Sequence, residues 1–283
     1  MSFLALIIAV TLLQVWGIPD ASRHDNWFNY WTGKVLGSGL GGWPAFALLL
    51  AVPVAGAILV LDALQPFLFG LFWIVAAAAL LLYSFGRSDF ATLIERYRAY
   101  CVSGDFEAAW LYLKNELPGL DESEDVPDAR ALHQRVTGEL VYEGYQRWFG
   151  VIFYFLLLGP AAALAYRLLQ MASRGNFAAQ ASVCLTVADW LPARALALTF
   201  SLAGDFVGSR EALAKAAPGS GMSASDLLQA VSSSAVGDSN AMAADGENTL
   251  GAAAAEDTKE LAGLFVRSSA CWLVVVSLLE LLL

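Results

Sequence analysis

Asp189 and Arg194 flank Pro192 inside an otherwise apolar segment, and this is the strongest chemical signal in the chain. An ionisable group among apolar residues is costly, so it faces a partner, a cavity or a ligand. The two side chains can pair with each other, or Arg194 can capture an anionic group such as a phosphate. A structural ion pair that holds a broken helix is the plainer account of the same residues. Arg147 and Arg167 frame a neighbouring uncharged stretch, Trp148 to Tyr166. Both suit anchors that snorkel to opposite headgroup layers, and both stand where they would rim a cavity around Asp189, Pro192 and Arg194. Asp189, Arg194, Arg147 and Arg167 are therefore the candidate ligand-binding residues, and the ligand they imply is a small anion.

Other patterns carry less chemistry. Gly37-x-Gly39-x-x-Gly42 matches the dinucleotide fingerprint in letters, but an apolar helix follows directly where a βαβ unit is required. A flexible entry to that helix is the simpler reading. No Walker A, HExxH or GxSxG pattern is present. His24 and His133 are far apart and lack metal-ligand spacing, and each reads as structural or interfacial. The acidic run Asp121 to Asp125, between Pro118 and Pro127, reads as a solvated loop, and no spacing fits a divalent-metal site. Cys101, Cys184 and Cys271 show no CxxC spacing. No catalytic residue, cofactor or metal is assigned, and a net charge of -10 argues against a nucleic-acid partner.

The elements that must position these residues follow from composition. The chain of 283 residues is 58% hydrophobic and 15% charged, with a mean hydropathy of +0.59, which excludes an ordinary soluble enzyme and a disordered chain alike. An all-α polytopic membrane protein embedded in a lipid bilayer remains. Four uncharged stretches approach the length of a span: Met1 to Pro19, Trp43 to Leu61, Ala63 to Phe85 and Trp148 to Tyr166. A fifth runs from Leu261 to Leu283, interrupted by Arg267 and Glu280. The first lacks a basic leader and a cleavage signal, so a retained helix is expected there. Pro53 and Pro160 are expected to kink their helices.

Residues 184–204 are harder to place. Pro192 suits the first turn of a helix, and a helix from Pro192 to Gly204 is too short to cross. The segment is either broken or re-entrant, or a sixth span completed by residues before the proline. The architecture is thus five spans plus one broken helix, or six spans. Three membrane helices occupy 1–85, with a polar loop at 20–42. A helical module follows at 86–146, and 147–283 forms a C-terminal membrane region with an Ala/Ser-rich loop at 218–255.

Basic residues set the orientation. Arg23, Lys34, Arg87, Arg96, Arg98, Arg130, Arg135 and Arg147 cluster on the two polar segments, which places both in the cytoplasm and the N-terminus outside. In the module, Phe90 to Tyr100 and Phe106 to Leu117 read as amphipathic helices joined at Ser103-Gly104-Asp105. They resemble one tetratricopeptide repeat without a second copy, so an ordinary helical hairpin competes with a site for an unidentified protein partner. Of the 38 residues from 218 to 255, 22 are Ala, Ser or Gly, so a mobile or loosely helical stretch is expected there. Helix resumes from Ala252 into the last span.

The run Trp148-Phe149 … Leu158-Gly159-Pro160-Ala161-Ala162 … Tyr166-Arg167-Leu168 resembles the Gly-Pro helix of the CobD/CbiB superfamily. Ala188-Asp189-Trp190-Leu191-Pro192-Ala193-Arg194-Ala195-Leu196 is similar to its Pro-Ala-Arg-Leu signature. With Leu202-Ala203-Gly204-Asp205-Phe206 and the layout, the chain most resembles the AmpE branch. That resemblance implies a multi-pass bacterial inner-membrane protein acting in regulation or signalling, linked to β-lactamase induction and cell-wall recycling. The cobalamin-biosynthesis enzymes of the superfamily, of the adenosylcobinamide-phosphate synthase type, are the alternative. Their acidic first helix and Ser-Pro-Asn-Ala-Gly signature have no full counterpart; this first helix is uncharged, and Ser239-Asn240-Ala241 is only a partial match. Groups to activate a carboxylate are what that departure removes. A small-solute transporter is a third class, though no inverted repeat is visible.

Overall fold

Hydrocarbon offers no water to an unpaired backbone group, so apolar chain at that depth must be helical or be covered by protein. Every regular element among the described residues is a helix, and the chain is an all-α polytopic membrane protein. The computed structural model describes residues 2–16, 26–86, 90–117, 119–120, 128–215, 221–237, 241 and 247–282. His24, the run 121–125 and residues 239–240 lie outside them. In chain order the helices are α1 (Ser2–Trp16), α2 (Asn26–Gly37), α3 (Gly42–Leu64), α4 (Leu71–Ser84), α5 (Phe90–Ser103), α6 (Phe106–Glu116) and α7 (Ala129–Gly144). There follow α8 (Val151–Leu158), α9 (Pro160–Ala172), α10 (Ala178–Ala203), α11 (Phe206–Lys215), α12 (Ala224–Val236) and α13 (Glu247–Leu282). By length and composition, three are able to cross a membrane: α3, α10 and the Thr249–Leu278 part of α13.

The chain divides into two compact units. The first comprises Met1–Asp89 and Gln146–Asp189, the second Phe90–Tyr145 and Trp190–Leu283. In the first unit α1 packs on α4, α2 on α3, and both α3 and α4 on α9. Two uncharged stretches turn out not to be continuous helices. Ala63 to Phe85 is divided by a 3₁₀ turn at Phe67–Gly70, where Gly70 takes φ +82 before α4 begins. Asp62 lies in the last turn of α3.

Trp148 to Tyr166 is divided at Gly159, whose φ of +90 is open to glycine and strained for other residues. Pro160 then opens α9 at its first position, where a missing N–H costs nothing. The helices α8 and α9 fold back on each other. The Gln170 side-chain amide donates to the Gln146 carbonyl at 2.8 Å, 24 residues away, a separation of about 36 Å in one straight helix. Gly150 lies against the Tyr166 ring, leaving no room for a Cβ. Arg147 and Arg167, expected at opposite headgroup layers, therefore sit toward the same end of this hairpin, and both are buried.

The break expected around Pro192 is not found: α10 runs unbroken through it, continued by the residues before the proline. An interior proline costs about 3 kcal/mol in part because it leaves the carbonyl four residues earlier without its helical donor. Here that carbonyl is Ala188, and it accepts the Tyr154 hydroxyl at 2.7 Å. The same device recurs in α3, where Pro53 orphans the Leu49 carbonyl. The Trp31 indole N–H fills that vacancy at 3.1 Å.

In the second unit α5 packs on α13, α6 on α5, and α12 on α7 and α11. The helices of the 86–146 segment form where the sequence places them. Asp105 caps α6 by accepting the Ala108 N–H at 3.0 Å, after a turn through Gly104 at φ +72. The Ala/Ser-rich stretch is more ordered than its composition indicates. It contains α12, capped by Ser223 and burying Leu227, Leu228, Val231 and Ala235 on one side. Further on, Gly251 sits against the Cys101 carbonyl, so the small residues that open α13 allow close approach to α5.

The proline device yields a double-mutant test. Tyr154→Phe should lower stability by about 0.5–1.5 kcal/mol, the net contribution of a hydrogen bond to a half-buried acceptor. In a Pro192→Ala background Ala188 regains an N–H from its own helix, and the same substitution should cost far less. Equal losses in both backgrounds, read from thermal melts in lipid nanodiscs, would disprove the assignment.

Candidate functional site

Arg167 lies on α9 and is 4% exposed. Its Nη1 donates to the Gln170 Oε1 at 3.3 Å, and Gln170 is oriented by its own bond to the Gln146 carbonyl. Gly86 closes on the guanidinium from the other side: a Cβ there would come within 3.1–3.3 Å of it. The hairpin thus holds the head group in a fixed place. There it faces a cavity of about 230 Å³ in the first unit, bounded by α2, the end of α9 and the turn that follows. Arg174 also lines this cavity, and Asn29, Thr32 and Asn176 add hydrogen-bonding groups. Among the described lining residues there is no carboxylate. Two arginines with three neutral polar groups are donors of the kind a small anion takes, because guanidinium N–H groups match carboxylate and phosphate oxygens in pairs.

The other expected residues have different surroundings. Asp189 is 1% exposed and accepts the Tyr166 hydroxyl at 2.6 Å, a short charge-assisted bond that ties α10 to the hairpin within the first unit. Arg194 is half-buried; it stacks on the Trp190 ring at 4.4 Å and donates to the Trp190 carbonyl at 2.9 Å. Neither lines the Arg167 cavity. Arg147 is buried in the turn Tyr145–Gly150 that leads into α8. Gly37, Gly39 and Gly42 form the short link between α2 and α3, with Gly39 and Gly42 at positive φ and a helix on each side. The Leu-Ala-Gly-Asp-Phe run has a packing role. Gly204 lies against the Ala235 carbonyl, and Asp205 caps α11 by accepting the Val207 and Gly208 N–H groups at 2.9 and 3.0 Å.

A second polar cluster, missed by sequence spacing, sits in the second unit. His133 on α7 is 2% exposed. Its Nδ1 is 2.9 Å from the Tyr97 hydroxyl on α5, and its Nε2 is 3.6 Å from Asp257 Oδ2 on α13. Asp257 also accepts the Ala241 N–H at 3.1 Å. Three helices are joined through one imidazole. Burial pushes the Tyr97 hydroxyl well above its ordinary range, and pushes the neighbouring Cys101 thiol up to about 11. Among the described residues no group of three or more His, Cys, Asp or Glu could hold a metal ion.

Compared with known proteins, the chain matches no family model, no curated protein and no solved structure.

The shifts at Tyr97 and Cys101 fix the sign of an alkaline transition. Both groups hold their protons more tightly folded than unfolded, so stability is full below the ordinary thiol value of 9.0 and falls as pH rises toward about 11. The melting temperature should decline across that window, and Cys101→Ala should remove part of the decline. A flat profile between these limits would contradict the buried, protonated pair.

Proposed function

We propose that the protein is a membrane-embedded regulatory component that binds a small anionic ligand in the Arg167 cavity. The observation that carries this reading is a buried arginine, oriented by Gln170 and by close packing at Gly86, on the wall of a cavity that has a second arginine and no described carboxylate. A volume near 230 Å³ suits a phosphate- or carboxylate-bearing group and is below the size of most cofactor pockets. Asp189, held by Tyr166, acts as a positioning group that fixes α10 to the hairpin, and Arg147 supports the same end of it. Arg194 stiffens α10 through its stack on Trp190.

The resemblance to the AmpE branch supplies the biological setting for this reading: the bacterial inner membrane, β-lactamase induction and cell-wall recycling, with the 86–146 segment as a cytoplasmic docking module. A sensor needs a ligand site and needs no reacting groups. The anion cavity meets that description: among its described lining residues Thr32 carries the one hydroxyl and none is a general base.

Native mass spectrometry of gently purified protein tests the ligand, and inorganic phosphate serves as the added probe. Wild type should carry a discrete anionic adduct or bind phosphate saturably. Arg167→Gln and Arg174→Gln should each weaken it by about tenfold or more, since a hydrogen bond to a charged group contributes about 1.5–3 kcal/mol. Arg194→Ala should leave it in place. In cells, Arg167→Gln at wild-type abundance should alter β-lactamase induction. Unchanged induction would remove the regulatory role, and equal binding by all variants would remove the site.

A further inference from the structure

A cavity of about 400 Å³ in the second unit is not used by the reading above. It is walled by α7, α12 and the Asp257–Leu261 stretch of α13, and its size falls within the roughly 300–1,000 Å³ of small-molecule sites. Among its described lining residues there is no Lys or Arg to attract an anion. The carboxylates among its described lining residues each accept a hydrogen bond, Asp257 from the Ala241 N–H while it faces His133, and Asp226 from the Ser223 hydroxyl at 2.6 Å. Beside them stands a set of neutral acceptors.

Those acceptors come from local helix chemistry. The Thr137, Ser232 and Ser233 hydroxyls each donate back to a carbonyl of their own helix, at 2.8, 3.1 and 3.1 Å. Each hydroxyl has thereby spent its only proton and presents oxygen lone pairs. Gln229 donates one amide N–H to the Gln134 carbonyl at 3.2 Å. It occupies space that exists only because residue 138 is glycine, where a Cβ would come within 2.8 Å of the amide. The described wall is therefore rich in acceptors, carboxylate and neutral, and is interrupted by apolar Val141, Val236 and Leu261. Many O–H donors spread over a compact frame with exposed C–H faces satisfy such a wall.

We infer that this cavity binds a neutral polyhydroxylated molecule, a saccharide or polyol, whose hydroxyls donate to Thr137, Gln229, Ser232 and Ser233. The inference is independent of the anion cavity. Calorimetric titration tests it on the full chain in nanodiscs free of glycoside detergent, with glucose and sucrose as probes and gluconate and glucosamine as charged controls. Saturable binding of a neutral probe, tighter than either charged control, is the expected result. Ser233→Phe, which fills the cavity from a solvent-exposed position, and Gln229→Leu should each abolish it, whereas Arg174→Gln should leave it unchanged. The inference is overturned if neither neutral probe binds saturably or if a charged control binds as tightly. Binding that persists in either cavity variant at a wild-type melting temperature overturns it as well.

Discussion

Two interior prolines set the terms on which this fold holds together. Each removes one backbone donor from a helix long and apolar enough to cross a membrane, and hydrocarbon offers no water to replace it. Each vacancy is filled by an aromatic side chain from a different helix, Trp31 on α2 for Pro53 and Tyr154 on α8 for Pro192. The helix stays continuous only while its neighbour stays in place, so what reads locally as a helix breaker acts as a tertiary tie. Trp and Tyr are suited to this because each carries a single polar donor on a large apolar body. A lysine or glutamine delivering the same donor would bring more polarity into the apolar layer.

The hairpin α8–α9 depends on that tie and on two further ones, the Gln170 amide to the Gln146 carbonyl and the Tyr166 hydroxyl to Asp189. Together they explain how charged groups persist among apolar segments. Asp189 accepts a hydroxyl at 2.6 Å, and Arg167 meets an amide oxygen that is itself held in orientation. Burying an ion without such partners costs several kcal/mol. Neutral dipoles held in orientation lower the cost of keeping a charged group in an apolar layer.

The parts of the fold legible in the sequence were those governed by local pattern. Amphipathic spacing located α5 and α6, and hydropathy located α3 and the long last helix. Absence of charge was a poorer guide, because it reports solubility in lipid and says nothing of continuity. Gly70 and Gly159, both at positive φ, divide two stretches that hydropathy joined. Pro192 read as a helix start because the local rule knows the missing N–H and not the Tyr154 hydroxyl that replaces its role. The candidate site was half legible. Arg167 drew attention as an embedded charge, whereas Arg174, Asn29 and Asn176 looked like ordinary polar residues until folding gathered them. His133 and Asp257 lie on helices far apart in the chain, and no spacing rule links them.

The residues that carry the family resemblance can be sorted by whether packing already accounts for them. Gly159 and Pro160 make the hairpin turn, Gly204 permits contact with the Ala235 carbonyl, and Asp205 caps α11. Pro192 and Tyr166 are absorbed by the ties described above. Any helical membrane protein of this shape would need residues of these types at these places, whatever its activity. Arg167 is different. Its guanidinium donates to the Gln170 amide oxygen and stands on the wall of a cavity. A charge at a cavity wall, held by groups that fix its direction, is what a ligand site requires. Among the residues of that signature, Arg167 is the one that lines the cavity with Arg174.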